Sequence, residues 1–337
     1  MRTFLLLMAL LAFVCSCSHK SVTENWITPD YLLAKDVKQA TFLGDNDDPT
    51  FSPDGSRLLY SSKGRLSHKG AQIYELDLKK SKERRITFSD GDAFHPTYLS
   101  QDEIVYSSTT DEIKESPLRN KTFDKEFPPS ELYTSDRFGA HILRLTHQPG
   151  YDGEPHYASS GKSKHLIFTS KRGGLTGIFQ LDFQKLPVSF VSVAKGKEKR
   201  YPAVSPDSSQ VFWVEKDLKT SEQKLVSLKM KGRIPVTLKE KEGLYRDLIV
   251  APRPPLRLFY SILRTGEKNY QLEVLNLEKQ CTQVIFKGQD SLMSPSLSDA
   301  QPEQLAFTRQ FQDKKQIYVV QLPSDLGPCL ESATKVP

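Results

Sequence analysis

The sequence is poor in the residues that announce a chemistry. Four cysteines stand in 337 residues, and two of them, Cys15 and Cys17, fall within the first seventeen. The remaining pair, Cys281 and Cys329, is too small a set for a disulfide-dependent scaffold, although an exported chain permits the two to be joined or to stay as thiols. No G-x-S-x-G nucleophile elbow occurs, and no amphipathic helix of useful length is evident. Charge of one sign is also lacking: 47 Lys and Arg face 41 Asp and Glu, a net of +6. Basic clusters such as Lys79, Lys80, Lys82, Arg84 and Arg85, or Lys195 to Arg200, read as solvated loops. The balance excludes a nucleic-acid footprint. Past residue 14 no apolar run approaches the length of a membrane span.

The one long apolar run is at the start. Met1-Arg2 precedes FLLLMALLAFV, long enough for a signal-peptide core and too short for a comfortable span. Val14-Cys15-Ser16-Cys17 resembles a bacterial lipobox, and Cys17 fits it better than Cys15, which follows the bulky Val14. Residues 1–16 are therefore expected to be removed, Cys17 to carry lipid and 17–36 to act as a tether. Removal costs one charge, Arg2, leaving 46 − 41 = +5. Ser18 resembles the sorting context of outer-membrane lipoproteins, which implies the periplasmic face of that membrane.

What the sequence does have is a repeat. RLLYSS at 57–62 is matched by EIVYSS at 103, HLIFTS at 165, QVFWVE at 210, RLFYSI at 257 and QLAFTR at 304. The starts lie 46, 62, 45, 47 and 47 residues apart. An alternating run follows each, such as QIYELDL at 72–78 or QIYVVQL at 316–322, and a third run follows five of them, from RRITF at 84–88 to CTQVIF at 281–286. The missing sixth copy precedes the first repeat as VKQATF, residues 37–42. Each unit opens on a motif like DPTFSPDG at 48–55, where Pro presets φ and Gly takes the left-handed turn position. Four short strands every ~45 residues describe a propeller blade. The expected fold is an all-β, six-bladed propeller of four-stranded antiparallel blades over 37–337, closed by residues 37–42 as the outer strand of the last blade. Aromatic residues at equivalent strand positions (Tyr60, Tyr106, Phe168, Trp213, Phe259 and Phe307) are assigned to packing between blades.

Phe51-Ser52-Pro53-Asp54-Gly55 and Val204-Ser205-Pro206-Asp207, with the Arg-Ile-Thr and Arg-Leu-Thr runs, resemble the repeats of the TolB-type propeller over about 37–322. The same repeat occurs in prolyl oligopeptidase propellers, but no room for a hydrolase domain follows residue 322. The resemblance implies a binding protein of the cell envelope that presents a preformed surface to a protein or cell-wall-associated partner.

In such a ring the connections into the innermost strands, and those between second and third strands, share one face, the mouth. The residues around each leading proline are expected at the channel rim there: Asp48, Thr50, His95, Thr97, Glu154, His156, Tyr201, Asp247 and Ser294. The long connection within 109–130 adds a candidate partner contact. His95, Glu154 and His156, flanked by Asp48, form the one constellation that suits a divalent metal. They carry the alternative reading, a metal-assisted glycan lyase or hydrolase working in the channel. The principal reading needs no cofactor and no catalytic residue.

Overall fold

The computed structural model describes residues 37–111, 126–160, 163–183, 188–326 and 329–330. Among these the chain forms six four-stranded antiparallel sheets, arranged as a β-propeller. Five sheets are each built from four consecutive strands, and the sixth takes its outer strand, Lys38–Gln39, from the beginning of the chain. The inner strands are Asp45–Phe51, Ala93–Tyr98, Tyr151–Ser160, Lys197–Val204, Gly243–Val250 and Ser291–Leu297. No helix among the described residues is long and apolar enough to cross a membrane. The expected signal segment, Cys17, the tether up to residue 36 and residues 112–125 of the long connection lie outside the described residues.

The closing strand is shorter than the expected 37–42. Lys38 pairs with Val319 and Gln39 with Tyr318, and the ladder then stops. The cause is a threonine. Ala40 N–H still donates to Ile317 O at 2.8 Å, but Ile317 N–H donates to the Thr41 hydroxyl at 2.9 Å, so a side chain replaces the next backbone acceptor. The same device ends the outer strands of blades 1 and 2. Ile73 N–H donates to Thr87 Oγ1 and Leu132 N–H to Thr146 Oγ1, each at 2.9 Å. The long side chain two residues earlier folds over the threonine carbonyl: Gln39 Nε2, Arg85 Nε and Arg144 Nε donate to Thr41 O, Thr87 O and Thr146 O at 2.7, 2.6 and 2.9 Å. Gln-Ala-Thr at 39–41 thus does the work of Arg-Ile-Thr and Arg-Leu-Thr.

The core lies between neighbouring blades. Tyr60, Tyr106, Phe168, Trp213 and Phe307 are all buried in it. In blade 5 the equivalent residue is Tyr260, not Phe259. Strand side chains alternate faces, so Tyr260 packs towards blade 4 with Phe212 and Tyr245, while its neighbour Phe259 packs towards blade 6 with Phe307. After blade 6 the tail returns to blade 5, where Cys329 is bonded to Cys281 and Leu330 N–H donates to Thr282 O at 2.6 Å.

Candidate functional site

Every inner strand breaks its pairing at the same place. The register shifts between Asp47 and Thr50, Phe94 and Thr97, Gly153 and His156, Arg200 and Ala203, Arg246 and Ile249, and Met293 and Ser296. At the centre of each bulge one residue is left-handed: Asp48, His95, Glu154, Tyr201, Asp247 and Ser294, with φ between 49° and 54°. Five of the six precede proline, which has no N–H to lose from the ladder. Holding a non-glycine residue there costs about 1–3 kcal/mol, and such strain persists where the surroundings over-determine it.

These residues sit in mid-strand and not at the rim. They form a waist part-way down the channel, because the proline marks the bulge and not the start of the strand. A cavity of about 610 Å³ opens on the mouth side, lined by Asp47, Phe94, Tyr151, Arg200, Arg246 and Lys315 with parts of the waist. A smaller one of about 140 Å³ lies beyond it, lined by the waist, its prolines, Thr50, Thr97 and His156. His95 reaches both cavities, whereas His156 lines the smaller one alone. In blades 1, 2, 4 and 5 the residue one before the waist position lines the larger cavity, and sequence reasoning had not singled it out. In three of these four blades its place two before a proline was the available sign.

A belt of contacts runs around the waist from blade to blade. His95 Nε2 lies 3.7 Å from Asp48 Oδ2. Glu154 N–H donates to His95 Nδ1 at 3.4 Å, and Tyr201 N–H to Glu154 Oε2 at 2.7 Å. Arg246 packs over the Tyr201 ring and donates to Asp247 Oδ2 at 2.7 Å. Ser294 N–H donates to Asp247 Oδ2 at 3.0 Å. The Ser294 hydroxyl has one proton for three carboxylate oxygens, on Asp47, Asp48 and Asp247, at 3.2, 3.3 and 3.4 Å.

The carboxylates of this belt are not alike. Glu154 receives Arg200 Nε and Nη2 on Oε1, at 2.9 and 2.5 Å, and Thr169 Oγ1 and Tyr201 N–H on Oε2, at 2.6 and 2.7 Å. Burial alone would push its pKa up, but Arg200, His95 and these donors hold it below the usual range. Asp47 is likewise buried, yet Lys315 and Arg246 draw its pKa down. Asp48 goes the other way: burial, then Asp47 and Asp247, push it up to about 6 against the pull of His95 and Lys315. The His156 imidazole is pushed down to about 4 by burial, so it is neutral at physiological pH.

This geometry does not suit the expected metal set. Both Glu154 oxygens are taken by Arg200, Thr169 and the Tyr201 amide, and His95 Nδ1 already accepts an amide proton. Among the described residues no group of three His, Cys, Asp or Glu is placed to hold a metal ion. The arrangement can instead offer a partner fixed cations and aromatic faces on the mouth side, with Asp48 as a carboxyl that can take up or release a proton.

No family model and no curated protein matches the chain. Solved structures share its fold. TolB from Acinetobacter baumannii aligns at a TM-score of 0.61 with 19% identity, over 78% of this chain and 60% of that one. A putative TolB from Agrobacterium tumefaciens aligns at 0.58 with 14% identity, over 82% and 90%. An oligogalacturonate lyase solved in complex with manganese aligns at 0.57 with 16% identity, over 85% and 80%. The chain thus spans 60% of the length of the A. baumannii protein. At these identities the likeness is one of fold.

Proposed function

We propose that this chain is a non-enzymatic binding protein of the cell envelope. In this reading a lipid on Cys17 anchors it, at the periplasmic face of the outer membrane, and the mouth of its channel receives an envelope or cell-wall-associated protein. The observation that carries the reading is the waist. Six strained residues are held by a continuous belt of contacts, so the surface above them is preformed and little order has to be imposed on binding. Phe94, Tyr201, Arg200 and Arg246 offer the aromatic and guanidinium groups that are enriched in protein interfaces. The fold shared with the two TolB structures agrees with such a role. The glycan lyase reading retains the fold of the manganese-bound lyase but loses Glu154 as a ligand.

A photo-activatable residue tests the proposal directly. Placed at Phe94, above the waist, it is expected to yield discrete adducts with an envelope protein; placed at Thr50, beyond the waist, it is expected to yield none. Equal adducts from both positions, or none from either, would count against the mouth. Metal analysis of the purified chain addresses the lyase: a stoichiometric metal lost on His95→Ala or His156→Ala would restore it.

A further inference from the structure

On the face opposite the mouth, the outer turns of blades 1 and 2 meet in a basic and apolar patch. The turn between Gln72–Asp77 and Lys82–Arg85 leaves Lys79, Lys80 and Lys82 exposed. The next blade's turn, between Glu131–Asp136 and Leu143–Arg144, exposes Phe138 at 60%, with Ile142 and Leu143 beside it in the chain at 61% and 58%. The two turns form one rigid unit. Arg84 Nη2 donates to Arg137 O at 2.9 Å, and Gly139 lies so close to Ile86 O that a Cβ would stand 2.1 Å from it. The Phe138 ring is flanked by two guanidiniums, with Arg84 at 4.4 Å and Arg137 at 4.8 Å from its centre.

Three of the acids nearby are turned to other tasks, and a fourth, Asp102, stays exposed within electrostatic reach of Arg137. Glu75 is buried beneath the patch and meets Arg137, Arg84 and Arg57 at 2.6, 2.9 and 3.4 Å, one carboxylate for three cations. Asp136 Oδ1 accepts Phe138 N–H and Ala140 N–H, and Asp77 Oδ1 accepts Lys80 N–H, so both cap their own turns. Asp77 also lies 3.7 Å from Lys80 Nζ. What remains at the surface is an aromatic ring held between two guanidiniums, two aliphatic side chains and a fringe of lysines that outnumbers the one exposed carboxylate, Asp102.

We propose that this edge of blades 1 and 2 docks on an anionic phospholipid surface. The ring and aliphatic side chains match the depth of the headgroup region, where aromatic residues settle, and the lysines and arginines match phosphate charge. Docking in this way turns the channel mouth away from the bilayer, towards the space where a partner is met. The inference takes from the envelope reading only the identity of the membrane; the patch and its charge stand without it.

Hydrogen exchange of the full chain, reconstituted on vesicles, tests it. On phosphatidylcholine mixed with phosphatidylglycerol, amides of 78–82 and 138–143 are expected to gain protection that is lost on phosphatidylcholine alone. K79E/K80E/K82E and F138S alter exposed side chains, so folding is not at risk, and each is expected to abolish that gain. Protection that ignores lipid charge, or that appears on the mouth face, overturns the proposal. So does poly-glutamate protecting these amides where the vesicles do not, which would assign the patch to an acidic polymer. Loss of the Phe94 adducts with this protection intact would sink the partner reading alone.

Discussion

At the seam between blades 3 and 4, Glu154 is closed on every side: Arg200 grips one oxygen and Thr169 and the Tyr201 amide fill the other. At the seam between blades 6 and 1, Asp48 occupies the same bulge with the same φ of 54°, yet it shares one serine proton with two other carboxylates and faces His95 across 3.7 Å. The backbone is common to both seams and the chemistry is not. The repeat dictates where a side chain enters the channel; the neighbouring blade decides whether its charge is locked or free to respond. We read the locked half as structural and the open half as the part able to answer a partner's charge.

The largest expected effect breaks the locked seam. Glu154→Ala leaves Arg200 buried with only the exposed Glu126, 3.9 Å away, as a counter-charge and is expected to cost about 3 kcal/mol, read from denaturant unfolding. A cost near zero would mean the two seams do not differ. The open seam is expected to respond in the opposite sense. A carboxyl raised from 3.8 to about 6 favours the folded state while protonated, so that contribution is complete below pH 4 and is lost as pH rises through 6. Asp48→Asn, which keeps the protonated shape, should therefore match the native chain at pH 4 and exceed it by about 3 kcal/mol above pH 7. Parallel stability curves would contradict this.

Smaller changes sharpen the contrast. Ser294→Ala removes the proton shared by three carboxylates and is expected to cost about 2 kcal/mol at neutral pH and less in acid, where Asp48 is protonated. Tyr151→Phe, beside the locked seam, deletes a buried hydroxyl that has no hydrogen-bond partner, and is expected to add about 1 kcal/mol in thermal unfolding.

The blades were legible because their causes are local. A turn motif, an alternating strand and a threonine terminator recur within each unit, and even Gln-Ala-Thr at 39–41 carried the pattern of the last outer strand. The waist was half legible. The residue before each proline was found, but its depth was not, since a bulge in mid-strand and a strand start look alike in sequence. The pairing of Glu154 with Arg200 spans one repeat, and that of Asp47 with Lys315 spans the closure of the ring, so neither follows from spacing until the ring exists. Phe259 and Tyr260 are adjacent aromatics that satisfy the same pattern one residue apart, and only the packing tells them apart.

On the proposed function, the open half of the waist faces a protein partner. Capture from crosslinked envelopes compares the native chain, D48N/H95A at the open seam and I234S, which alters an exposed side chain on the opposite face. D48N/H95A is expected to lose the protein captured by the native chain, while I234S retains it. If D48N/H95A brings down the same protein in the same amount, the mouth is not where this molecule meets its partner.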